Sequence, residues 1–102
     1  MAQILALYKK PADPAAFDKY YFGTHVPLAK TIPGLRSYHV STGLVASADG
    51  DSGLHLVAML EFDSMDAIQA ALGSPQGVAT AGDLVNFGQA GVQLLMFDTK
   101  QV

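Results

Sequence analysis

His25 and Tyr38 are the two residues whose types suit proton transfer at a carbonyl compound. Imidazole is the one side chain whose unperturbed pKa, ~6.5, lies near working pH, so it can take and return a proton. His25 follows Tyr21 by four residues, a spacing that sets the two rings on one face of a helix. Apolar neighbours at Phe17, Tyr21 and Leu28 would desolvate the ring and disfavour its charged form, which is what a general base requires. The phenol of Tyr38 can donate a hydrogen bond to a carbonyl oxygen on which charge develops. A histidine satisfied beside a proline, and a packed tyrosine with its hydroxyl paired, account for the same residues without chemistry. Residue type and spacing leave both readings open.

Other chemistries have less to stand on. The chain has no cysteine, which removes thiolate catalysis, disulfides, iron–sulfur clusters and cysteine-ligated zinc. His39 and His55 fall on adjacent extended runs, but no H-x-H or H-x-x-x-H spacing exists and Glu61 is the only glutamate. A zinc site wants three or four converging ligands, so no metal is expected. The two histidines are read instead as sheet or interface residues. No G-x-S-x-G elbow and no G-x-G-x-x-G fingerprint is present, so neither a hydrolase nucleophile nor a dinucleotide cofactor is indicated. Asp83 and Asn86, one helical turn apart, read as surface hydrogen bonding near a helix end. Six Lys and Arg against nine Asp and Glu give a net charge of −3, without the basic footprint of a nucleic-acid partner. No apolar run approaches the length of a membrane span. Met1–Leu7 is too short for a signal segment and has no basic residue before it, so a cytoplasmic location is expected.

The elements that would position His25 and Tyr38 follow from periodicity. Residues 1–102 suit one domain. Ala2–Lys9 is a short apolar run that reads as a strand. Asp13-Pro14 has the form of an N-cap followed by proline in the first turn. Phe17, Tyr20, Tyr21, Thr24 and Leu28 then recur at helical steps until Pro27 kinks or restarts the helix near His25. Leu35–Val45 and Leu54–Phe62 flank the polar loop S-A-D-G-D-S-G and predict an antiparallel hairpin. Asp63-Ser64 and Ser74-Pro75 open two more helices, the first with Ala67, Ile68 and Ala71 inward. The second carries Val78, Ala81, Leu84, Val85 and Phe87, and Gly91–Asp98 is the last strand. The order β-α-β-β-α-α-β predicts an α+β, ferredoxin-like fold, an antiparallel sheet with helices on one face. The third and fourth strands are apolar at both parities, and only 15% of residues are charged. A sheet apolar on both sides must be covered on both, so a homodimer through the bare sheet face is expected.

The chain resembles the EthD family of the dimeric α+β barrel superfamily over nearly its whole length. The residues that carry the resemblance are Tyr20-Tyr21, His25-Val26-Pro27-Leu28, Pro33-Gly34-Leu35, Tyr38, Phe62-Asp63-Ser64, Ser74-Pro75-Gln76-Gly77 and Asp83-Leu84-Val85-Asn86-Phe87. The resemblance implies a ferredoxin-like monomer pairing through its sheet, with a pocket between sheet and helices for a small hydrophobic molecule. It implies catalytic roles for His25 and Tyr38, by match to pocket positions of an isomerase relative; Phe17, Tyr21 and Leu28 are expected to line the ligand. Two functions follow as expectations. One is cofactor-free isomerisation or cyclisation of a carbonyl or lactone compound in a degradative pathway. The other is non-catalytic binding of such a compound as an accessory to an oxygenase system, as in ethyl tert-butyl ether degradation.

Overall fold

Ala2–Lys9 form strand β1, and the main sheet is assembled on both of its edges. In the computed structural model, which describes residues 1–102, β1 pairs antiparallel with β5 (Leu54–Phe62) on one side and β6 (Val92–Asp98) on the other. Strand β2 (Ser37–Val40) pairs antiparallel with the far edge of β5, giving the order β2-β5-β1-β6. The helices are α1 (Pro14–Tyr20), α2 (Val26–Ala29), α3 (Met65–Gly73) and α4 (Pro75–Gly82). A π-helical turn, Tyr21–His25, joins α1 to α2, and a 3₁₀ turn, Asp83–Asn86, follows α4. This is the expected α+β, ferredoxin-like arrangement. Two boundaries differ from the sequence reading. β2 is only four residues long, because Gly43 at φ 72° turns the chain after Ser41 makes its last backbone pairing with Val57. The polar loop holds a small ribbon of its own, β3 (Ala46–Ser47) with β4 (Gly50–Asp51).

Alternation divides the sheet into two surfaces. Ala2, Ile4, Ala6 and Tyr8 of β1 face the helices and register with Phe62, Leu60, Ala58 and Leu56 of β5. All eight are buried. Over them lie Phe17, Tyr21 and Phe87, whose rings meet Tyr8 at centroid distances of 5.5, 5.5 and 5.6 Å. Such contacts each add roughly 0.5–1.5 kcal/mol to the burial itself. The other sheet surface carries Leu5, Leu7, Val57, Met59, Leu95 and Phe97, with no element packed over it. β6 is open on both sides. Leu94 and Met96, facing the helices, are 42% and 43% exposed.

One hydroxyl joins the last two helices. Ser74 Oγ donates to the Ala71 carbonyl at the end of α3 and accepts from the Gly77 N–H in the first turn of α4. This sharp corner sets the inward face of α4. Val78 and Val85, expected on the apolar stripe, are 60% and 74% exposed, while Gly77 and Thr80 are buried. A Cβ at Gly77 would sit 2.0 Å from the Ala71 carbonyl oxygen. Gly77→Ala should therefore destabilise the fold by about 1–3 kcal/mol through overpacking, although alanine is the better helix former by ~1 kcal/mol. Urea unfolding checks this. A midpoint that rose would mean that the corner relaxes freely.

Candidate functional site

His25 is buried because of a local change in helical winding. The buried residues of the first helical segment are Phe17, Tyr21, His25 and Ala29, a strict four-residue series. On a regular α-helix each such step drifts by about 40°, so the series would wind off the core within three steps. The π turn removes that drift. Pro27 has no N–H to give the Gly23 carbonyl, and the Val26 N–H bonds five residues back to Tyr21. Thr24, expected on the inward stripe, is exposed, and His25 takes the inward place. Tyr21 and His25 stack with centroids 5.4 Å apart, and Phe87 lies 4.5 Å from the imidazole.

The partner of His25 comes from the other end of the chain. His25 Nδ1 lies 2.9 Å from Asp83 Oδ2, with both side chains less than a tenth exposed. Asp83 Oδ1 accepts from the Tyr20 hydroxyl at 2.5 Å and from Asn86 Nδ2 at 2.9 Å. Burial opposes the charge on Asp83. The bonds from Tyr20, Asn86 and His25 together outweigh it and hold the carboxyl below its ordinary range. Burial also lowers the pKa of His25, against the opposing pull of Asp83. A neutral imidazole beside an ionised carboxylate carries its proton on Nδ1 and donates it to Asp83, leaving a lone pair on Nε2. Nε2 has no partner within the chain and is not sealed from the surroundings.

His25 lies on the wall of a cavity of about 70 Å³ between sheet and helices. The wall is apolar apart from His25, Thr80, Tyr8 and Tyr38. Tyr38, on β2, faces the helices in register with Leu60. Its hydroxyl lies 2.5 Å from that of Tyr21. Burial raises the pKa of Tyr38 while the bond to Tyr21 pulls it down. Burial and the neighbouring Tyr38 and Tyr8 phenols push Tyr21 well above the usual tyrosine range. Both phenols therefore stay protonated, and Tyr21 is the stronger candidate to donate within the pair.

The structure thus brings His25 and Tyr38 to one cavity. Phe17, Tyr21 and Leu28, expected on the ligand-facing wall, do not line it. Phe17 and Tyr21 lie in the aromatic core, stacked on each other at 5.7 Å, and Leu28 is half-buried on α2. His39 and His55 do not come together. His39 is exposed on the open sheet surface opposite Met59. His55 is skipped where Tyr8 and Lys9 register with Leu56 and Leu54, a bulge that turns it against Phe17 and onto Asp18 Oδ1 at 2.7 Å. Asp83 was legible only as half of a surface pair with Asn86. The spacing D-x-x-N does mark the residues that share this carboxylate, but nothing local points to His25, 58 residues away.

The chain has relatives among known proteins. The EthD domain model matches residues 9–89. A Rhodococcus erythropolis protein described as an uncharacterized 11.0 kDa protein in the thcB-thcC intergenic region is 37% identical over 103 residues, covering 100% of this chain and 98% of its own. The crystal structure of an EthD family protein from Bacillus halodurans matches with a TM-score of 0.89 and 33% identity, over 98% of this chain and 99% of that one. SnoaB, a cofactor-independent oxygenase from Streptomyces nogalater, shares the fold with a TM-score of 0.67 and 18% identity, over 99% and 94% of the two chains.

The buried pair makes stability depend on pH in a defined direction. The unfolded imidazole titrates near its ordinary ~6.5, and the folded one below it. As pH falls, the unfolded chain takes up the proton first, so the contribution of neutral His25 is full above about 6.5 and erodes below it. Asp83, depressed in the fold, adds a loss in the same direction at lower pH, as it is protonated through its folded pKa. The melting temperature should fall between about pH 8 and pH 5, and His25→Gln should flatten that slope. Equal slopes in the two proteins would place the sensitivity elsewhere.

Proposed function

This chain belongs to the EthD family, and from that premise we propose that it performs cofactor-free acid–base chemistry on a small apolar carbonyl or lactone compound. The observation that carries this reading is His25, which lies on the wall of an apolar cavity with Nε2 free of partners while Nδ1 is held by buried Asp83. Nε2 takes a proton from the carbon beside the carbonyl, and Asp83 stabilises the imidazolium that forms. The oxygen that gains charge accepts from the Tyr38 hydroxyl, whose proton is free to point outward when Tyr21 is the donor between the two phenols. The imidazolium returns the proton to another carbon for isomerisation; for cyclisation the carbanion attacks a second carbonyl and the imidazolium protonates the alkoxide that forms. The cavity, at about 70 Å³, is smaller than the ~150 Å³ apolar void that admits benzene. A ring-sized ligand held wholly within it displaces part of the wall, and Leu94, on the open strand β6 and 42% exposed, is a large apolar wall residue placed to move.

Incubation with simple lactones and ketones in heavy water tests the reading through deuterium incorporation beside the carbonyl. His25→Gln should lower the exchange rate about 10²–10⁴-fold. Tyr38→Phe should cost less, about 10–10³-fold. His39→Gln and His55→Gln should leave it nearly intact. A folded His25→Gln protein with unchanged exchange would overturn the assignment. Compounds that bind the wild type without exchanging, and bind His25→Gln more weakly, would turn the reading to a carrier or accessory protein.

We further propose that a second copy covers the open sheet surface of Leu5, Leu7, Val57, Met59, Leu95 and Phe97. Light scattering at micromolar concentration should give about twice the 10.7 kDa chain mass, and Phe97→Asp should lower it. A wild-type protein at the single-chain mass would refute the pairing.

A further inference from the structure

Asp83 is a buried carboxylate with no lysine or arginine beside it. Such a charge persists only where hydrogen-bond donors replace its lost hydration. Asp83 has three, and their division between its oxygens is unequal. Oδ1 takes Tyr20 and Asn86, while Oδ2 takes His25 alone. Tyr20 makes the shortest bond of the set. It does so from outside the cavity, since it lines a separate surface cleft with Asn86, Phe87 and Phe17 that shares no wall residue with the cavity of His25. A ligand in the cavity therefore need not touch Tyr20.

We propose that Tyr20 is a positioning residue, which by saturating Oδ1 keeps Asp83 ionised with Oδ2 aimed at His25, so that Nδ1 holds the proton and Nε2 presents the lone pair. The role rests on the reading of His25 as the base. No other charged group competes for it. The titratable groups facing His25 are Tyr8 from β1, Tyr38 from β2, Tyr21 from its own turn and Asp83 from the 3₁₀ turn. The residues from α2, β5 and α4 on the same wall are Ala29, Ala58, Leu60, Gly77, Thr80 and Ala81, all uncharged. With Tyr20 bound, the carboxylate is satisfied without needing an imidazolium. With that donor lost, the less satisfied anion draws a second proton onto the imidazole.

Nitrogen-15 NMR of the histidine side chains, on the full chain without ligand, reads both the tautomer and the titration of His25, with His39 and His55 as internal references. Tyr20→Phe removes the hydroxyl and keeps the ring that stacks on Phe87 at 5.6 Å. The His25 midpoint should move to higher pH in this variant. Site-specific 3-fluorotyrosine at position 20, a stronger donor, should move it the opposite way. A merely structural role for the ring predicts neither shift, and the fluorinated protein serves if Tyr20→Phe does not fold. In the exchange assay, Tyr20→Phe should lose about 3- to 10-fold at pH 7 and shift the acid limb of the pH profile upward. A folded variant with midpoint and tautomer unmoved would overturn the role of Tyr20. Because the NMR measurements use no substrate, they are independent of failure of the acid–base reading, which would show as no exchange in the wild type.

Discussion

An anion buried without a cation is the most demanding constraint in this fold. Asp83 satisfies it with a phenol from α1, an amide from its own 3₁₀ turn and an imidazole from the π turn. Each donor has to arrive at hydrogen-bonding distance at once, because an unsatisfied buried charge is far more costly than an unmade surface contact. The carboxylate therefore acts as a tie between the first helical segment and the last one. Phe87 reinforces the same junction, with its ring against Tyr8, Phe17, Tyr20, Tyr21 and His25.

Pro27 has a larger structural influence than a break in a helix. By withdrawing one donor it favours a wider turn, and that turn brings a four-residue series into line with the core. Without it, an α-helix could bury Phe17 and Tyr21 but would carry His25 round its side. The polar centre of the cavity is thus a consequence of backbone hydrogen bonding, before any side chain is considered.

Strand and helix order was readable because caps, prolines and glycines punctuate the chain at every junction. Asp13-Pro14 and Ser74-Pro75 sit where N-caps were expected. The pairing of His25 with Asp83 was not readable, since periodicity reports which face a residue takes and not which distant segment meets it. Thr24 was assigned to the buried stripe because regular α-helical phase was assumed through a segment that winds differently. Val78 counts among the apolar residues of its helix on hydrophobicity alone, and the close approach at the Ser74 corner turns Gly77 inward instead. His55 reads from sequence only as a sheet or interface residue, and a bulge that reverses parity locally turns it onto Phe17 and Asp18 instead.

Leu94 belongs at once to the cavity wall and to a strand whose outer edge is bare. A chain laid along β6 would restrain one wall of the cavity, and a molecule that pushed Leu94 aside would reshape the edge such a chain must meet. The two events share a side chain, so each carries part of the free energy of the other. Thermodynamic reciprocity then requires the effect to run equally both ways. Were a second copy the chain that lies along β6, occupancy of the cavity and self-association would be linked equilibria, and apparent ligand affinity would vary with protein concentration.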